Sequence, residues 1–166
     1  MSRELKEKLL VTLILVAWYI WMPQVGFTAG MEGRAHITYL LCHANIWHLA
    51  GNVFVLWMMR GKLHLLPAIL VAILSTFLPV FGSVWDGLLF DGQTMGFSGV
   101  LFAIAGVQWG RLEWSKNTEH DRFIVRWSFF SKAVPWAFVF VLIPHINWSL
   151  HLYCMMLGYI YGRCRR

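Results

Sequence analysis

The chain has 166 residues, of which 58% are apolar and only 13% charged, with a mean hydropathy of +0.59. A soluble domain carries roughly a quarter charged residues, so this composition excludes one and points to a single compact membrane domain, 1–166. The formal net charge is +6, but the basic residues stand at the ends of apolar segments instead of forming a stripe, which argues against nucleic acid as a partner.

A helix needs about 20 residues to cross a hydrocarbon layer, and shorter runs serve where neighbours shield them. Six segments are predicted: roughly Leu9–Met22, Tyr39–Met59, Leu65–Phe81, Phe97–Gly110, Ala133–Pro144 and Trp148–Gly162. The fold class expected is therefore all-α, a polytopic bundle of six transmembrane helices. Several segments are short, which implies helices buried against each other or a thin protein that strains the bilayer.

The first segment follows "SRELKEK" and has the basic front and apolar core of a secretory signal. A clean A-x-A cleavage site is missing, and "TAG" at Thr28–Gly30 is a weak substitute, so the segment is expected to be retained behind a short cytoplasmic N-terminus, 1–8. Segment two carries His48 and Asn52 in "IWHLAGN". Segment four opens with Ser98 in "MGFSGV" and continues with a small-residue face of Gly99, Ala103, Gly106 and Gly110. A loop, Arg111–Lys132, is expected to lead to segment five. Segment six carries His151 and a second small-residue face of Cys154, Gly158 and Gly162. Faces of this kind let helix backbones approach closely in lipid, so segments four and six are expected to touch along their length.

Orientation follows from Lys and Arg. With the N-terminus inside, the cytoplasmic face holds Arg3, Lys6, Lys8, Arg60, Lys62, Arg111, Lys116, Arg122, Arg126, Lys132, Arg163, Arg165 and Arg166, which is 13 of the 14, and only Arg34 lies outside. The outer loops hold Glu32, Asp86 and Asp91, and Trp18, Tyr19, Trp21, Trp47 and Trp148 gather at outer ends as interfacial aromatics do. Segments two, four and six then all run from outside to inside, so His48, Ser98 and His151 can share one depth below the outer surface.

Polar residues are expensive in hydrocarbon and usually mark a site or pathway. Taken singly, Ser98 reads as a hydroxyl bonded to a carbonyl one turn back, and the i, i+4 pair His48–Asn52 as interhelical glue. Taken together, a serine at a helix start, an imidazole and spare side-chain donors are the components of a serine hydrolase. Cys42, Cys154 and Cys164 form neither a disulfide framework nor a zinc pattern, Cys164 in "GRCRR" reads as a structural cysteine, and H-E-x-x-H is absent, so no metal or cofactor is expected.

The combination resembles the rhomboid family of intramembrane serine proteases. The resemblance rests on H-x-x-x-N at His48–Asn52, G-x-S-G at Gly96–Gly99, and a histidine in the final helix followed by small residues, in that order across nearly the whole chain. It implies Ser98 as nucleophile and His151 as general base, with His48, Asn52 and the Ser98 backbone N–H as oxyanion hole. It also implies that Phe102 sets its ring against His151 and that Gly96 and Gly99 support the site. Thr38 and His43 echo the family's run ahead of that pair, with His43 expected as a structural loop residue.

Partners implied are transmembrane protein substrates and the lipid bilayer. Departures from the family pattern are Gly33-Arg34 in place of Trp-Arg, Leu150 in place of alanine before the histidine, and Cys154 in place of glycine three residues after it. The last two lead to the expectation that segments four and six sit slightly further apart. With no Asp or Glu in any segment core, His151 is expected to act without a carboxylate partner. Two rivals stay open: a rhomboid-like binder that cuts nothing, separated by reaction of Ser98 with a fluorophosphonate, and a transporter with a histidine proton relay, separated by flux in liposomes.

Overall fold

A computed structural model describes residues 1–28, 33–79, 81, 92–142 and 147–164, with the backbone alone described for 132–142. The sequence-based readings at Gly30, Glu32, Asp86, Asp91, Pro144, Arg165 and Arg166 lie outside the described residues. Seven helices are present among those that are described: α1 (Arg3–Trp21), α2 (Ala35–Thr38), α3 (Ile46–Met58), α4 (Leu65–Ser75), α5 (Ser98–Trp114), α6 (Glu119–Leu142) and α7 (Trp148–Cys164). Phe27 and Thr94 form an isolated antiparallel bridge. The all-α expectation holds, and the boundaries shift for local reasons.

The charged "SRELKEK" run belongs to α1. Ser2 caps the helix by accepting from the Leu5 N–H at 3.2 Å, and Arg3–Glu7 and Glu4–Lys8 pair one turn apart at 2.8 Å each. Lys8 turns inward, where it is buried and donates to the carbonyls of Trp57 and Met59 at the C-terminal end of α3. An ammonium there meets the negative end of the helix and its unpaired carbonyls.

Helix α3 starts at Ile46 rather than Tyr39, because Asn45 caps it through the His48 N–H at 2.9 Å and the preceding residues form turns. Likewise α4 stops at Ser75, whose hydroxyl bonds back to the Val71 carbonyl at 2.8 Å, and Thr76 does the same to Ile73. The largest correction concerns Arg111–Lys132, read as a loop. Only residues 115–118 connect helices there, since α5 runs on to Trp114 and α6 begins at Glu119. Thr118 accepts from the Asp121 N–H at 3.0 Å and Arg122 pairs with Glu119, so a capped, charged helix start lies where hydropathy registers only polarity.

The core lies between α4, α5 and α7, around Ala68, Ala72, Val100, Ala103, Ile104 and Cys154. Among the described residues the α5–α7 contact is the most extensive. A Cβ on Gly106 would strike the Met155 carbonyl, and one on Gly110 the Tyr159 carbonyl; on Gly158 it would lie 2.5 Å from the Ala103 carbonyl oxygen. Cys154 meets α5 at the level of Gly99. The Cys154 Sγ comes within 3.3 Å of where a Gly99 Cβ would sit, so sulfur fills the space that glycine at 154 would leave while the backbones still touch further inward.

At the C-terminal end of α5, Glu113 is buried and joins three helices. Arg126 of α6 donates to it at 2.7 and 3.1 Å, Tyr159 of α7 donates its hydroxyl, and Arg163 stands 3.5 Å away. Burial alone would raise the Glu113 carboxyl, but the bonds from Arg126 and Tyr159 and the charges of Arg163 and Arg126 outweigh it and hold the group below the ordinary carboxylate range. This clasp is in place at neutral pH and is lost as acid titrates Glu113 through its lowered value.

Large apolar side chains remain exposed on outward faces: Leu10, Leu13 and Ile14 of α1, Phe54 and Met58 of α3, and Leu66, Leu70 and Leu74 of α4. Such continuous faces need a nonaqueous neighbour. Among the described residues no helix is long and apolar enough to cross a membrane. The 11-residue α4, for example, is about 16 Å long at 1.5 Å per residue.

Candidate active site

The segment that opens α5 is held before the helix begins. Gly96 has φ +121°, a left-handed backbone that disfavours any side chain, and its N–H donates to the Tyr39 carbonyl at 2.9 Å. Close approach demands glycine as well: a Cβ there would lie 2.8 Å from His48 Cε1 and Nε2 and 3.3 Å from Asn52 Nδ2. The chain can therefore pass directly under the His48–Asn52 face of α3. Two residues later Ser98 begins α5, which has no side-chain cap, so N–H groups of its first turn are left for another acceptor.

Helix α7 brings His151 to the same point. The Ser98 Oγ and His151 Nε2 are 2.7 Å apart. The Phe102 ring, one turn along α5, packs on the imidazole with centroids 4.9 Å apart and planes tilted by 38°, so it confines the ring without lying parallel to it. Gly99 faces Cys154 one turn below. His48, Asn52, Ser98, Phe102 and His151 thus converge on a cavity of about 720 Å³, which Trp47 also lines.

Asn52 is buried and, among the described residues, its Nδ2 has no hydrogen-bond partner. An amide donor left unsatisfied in a protein interior costs about 1–3 kcal/mol. Within this cavity the cost is recovered when an oxygen arrives. A serine hydroxyl bonded to an imidazole, beside an open helix start and a waiting amide, is equipped to form a tetrahedral oxyanion and hold it.

His43, read as structural, is fully buried; its Nδ1 faces the Leu41 carbonyl at 3.1 Å and its ring meets His48 edge-on at 5.2 Å. Thr38 donates its hydroxyl back to the Arg34 carbonyl at 3.1 Å. Gly33, where the family pattern has tryptophan, adopts φ +64° and serves the turn into α2. Sequence reasoning missed Asn147 and Thr94, which also line the cavity and bond to each other at 2.8 Å. An asparagine just ahead of an apolar run is a helix-start signal that would have drawn attention to Asn147; nothing in the sequence marks Thr94.

Comparison with known families finds the Rhomboid domain over residues 31–166. No curated protein matches the chain.

Proposed function

We propose, because the chain belongs to the rhomboid family, whose members are integral membrane proteins and generally serine proteases, that it is an intramembrane serine endopeptidase with six membrane spans. Its substrates are transmembrane proteins, cut in or near their membrane segments. The observation that carries this reading is the 2.7 Å Ser98 Oγ–His151 Nε2 contact inside the cavity.

In this mechanism Ser98 attacks the scissile carbonyl carbon while neutral His151 takes its proton at Nε2. The carbonyl oxygen becomes an oxyanion held by the Ser98 N–H, the Asn52 amide and His48. Collapse breaks the C–N bond, and His151 returns the proton to the leaving amine. Water from the outer face then attacks the acyl-enzyme with His151 again as base, and Ser98 is released. Apolar surroundings and the Phe102 ring keep the imidazole in place. No metal or cofactor takes part.

A fluorophosphonate should label the purified protein at Ser98, and membranes containing the wild type should yield cleaved proteins that membranes with Ser98→Ala do not. A wild type that neither labels nor cuts would instead be a rhomboid-like binder of membrane proteins. Proton or solute flux through liposomes would favour the transporter.

The oxyanion donors make a graded prediction. Losing one donor typically costs on the order of 10²–10³ in turnover, but three candidates share the charge here. His48→Ala and Asn52→Ala should each slow cleavage without abolishing it, and the double variant should lose less than the product of the two. Unchanged kcat in both single variants would return the pair to a packing role.

The orientation proposed has both termini in the cytoplasm, and in the inner membrane if the source is bacterial. Reporter fusions after Lys62 and Asn117 should read as cytoplasmic and fusions near Gly30 and Asp86 as external, given the strong Lys and Arg bias. An external reading at Asn117 would overturn the orientation.

A further inference from the structure

The glycine contacts that join α5 to α7 begin at Gly99 and Cys154 and run toward the inner end. Ser98 and His151 lie on the outer side of that seam, where backbone approach no longer fixes the two helices. A polar tie occupies this place. Asn147 stands directly before α7 and is buried. Its Oδ1 accepts from the Leu150 N–H at 3.0 Å and from the Ser149 hydroxyl at 2.9 Å, which closes the first turn of α7. Its Nδ2 donates to the Thr94 Oγ1 at 2.8 Å, and Thr94 is buried too.

Thr94 is itself immobilised. It exchanges both backbone bonds with Phe27 at 2.7 Å each, and Gly96, two residues on, donates to Tyr39. Ser98 follows Thr94 by four residues, and His151 follows Asn147 by four. One buried hydrogen bond therefore joins the roots of the two short arms that carry the hydroxyl and the imidazole.

We propose that the Asn147–Thr94 bond is a positioning device that sets the Ser98–His151 separation. The proposal rests on the reading of that pair as the reacting groups. Neither Asn147 nor Thr94 exchanges a proton with substrate; they act through the helix start that they fix. A displacement of about 1 Å at a reacting pair can cost on the order of 10²-fold in rate.

The test uses the full-length protein in liposomes with a transmembrane substrate, kcat and KM being measured per folded molecule. Thr94→Val keeps the shape and the Asn147 cap but removes the acceptor, and kcat should fall by roughly 10–100-fold with little change in KM. Thr94→Ser restores an oxygen and should stay close to the wild type. If Thr94→Val does not fold, the double variant Thr94→Val, Asn147→Ser carries the same expectation, because serine retains a cap for α7 but is too short to reach residue 94. An unchanged kcat in the valine variant, an equal loss in the serine variant, or a loss that follows only the folded fraction would overturn the tie. A wild type that neither labels with fluorophosphonate nor cuts overturns the protease reading, and the positioning role falls with it; an active wild type beside an unaffected Thr94→Val refutes the positioning role alone.

Discussion

Ser98→Ala and His151→Ala are each expected to lower cleavage by about the 10⁶-fold seen when a serine hydrolase loses its nucleophile or base, which is effectively to background. Both members of the 2.7 Å pair are needed for the first proton transfer, so the double variant should be no worse than either single one. Fluorophosphonate labelling should vanish in Ser98→Ala. In His151→Ala it should be strongly slowed, because the hydroxyl remains but nothing accepts its proton. Residual turnover within tenfold of wild type in either variant would sink the assignment of roles.

The same experiment decides between a dyad and a triad. Glu32, Asp86 and Asp91 are the acids that the Lys and Arg pattern leads us to expect on the outer side, and a carboxylate brought from any of them to the imidazole would bear a desolvation cost. Glu32→Gln, Asp86→Asn and Asp91→Asn should each leave most activity. A loss near the 10⁴-fold of a triad without its carboxylate would identify that residue as a third member.

The candidate site was legible because its parts are polar residues in an apolar chain. Ser98, His151, His48 and Asn52 are conspicuous in a chain that is 58% apolar, and the expectation that the serine and the two histidines share one depth rests on the basic residues alone. The glycine faces were legible for a related reason: small residues at helical spacing have no other use in lipid. Helix boundaries were less so. Hydropathy averages over charge, so it could not register that "SRELKEK" and "TEHDRF" are capped helix starts stabilised by i, i+3 and i, i+4 ion pairs. Short caps such as Asn45 and back-bonding hydroxyls such as Ser75 act over three or four residues, below the length of any apolar window. Polar contacts made across the fold outside the predicted site were not legible. Glu113 clasping Arg126, Tyr159 and Arg163, and Thr94 meeting Asn147, join residues 13 to 53 positions apart with no local pattern.

Gly106→Ala and Gly158→Ala are expected to be strongly destabilising, and Gly106→Val more so, because the added carbon meets a backbone carbonyl that no rotamer change can move aside. Overpacking of a filled interior costs about 1–3 kcal/mol per site, a large fraction of a total stability of about 5–15 kcal/mol. The helices must separate to admit the methyl group, and the seam they share ends at Ser98 and His151. Activity should therefore fall further than the folded fraction does. Because the two glycines lie in one interface, their effects should not add. Gly51 supplies the contrast: it is helical and exposed, and a Cβ there meets nothing within 4 Å. Alanine is the better helix former by about 1 kcal/mol, so Gly51→Ala should leave the melting temperature unchanged or raise it. Thermal unfolding of the three alanine variants in one detergent would compare a glycine retained for backbone contact with a glycine that is not. If Gly106→Ala melts with the wild type, the α5–α7 backbone seam is not what holds the serine and the imidazole together, and the polar tie at Asn147 would have to do so alone.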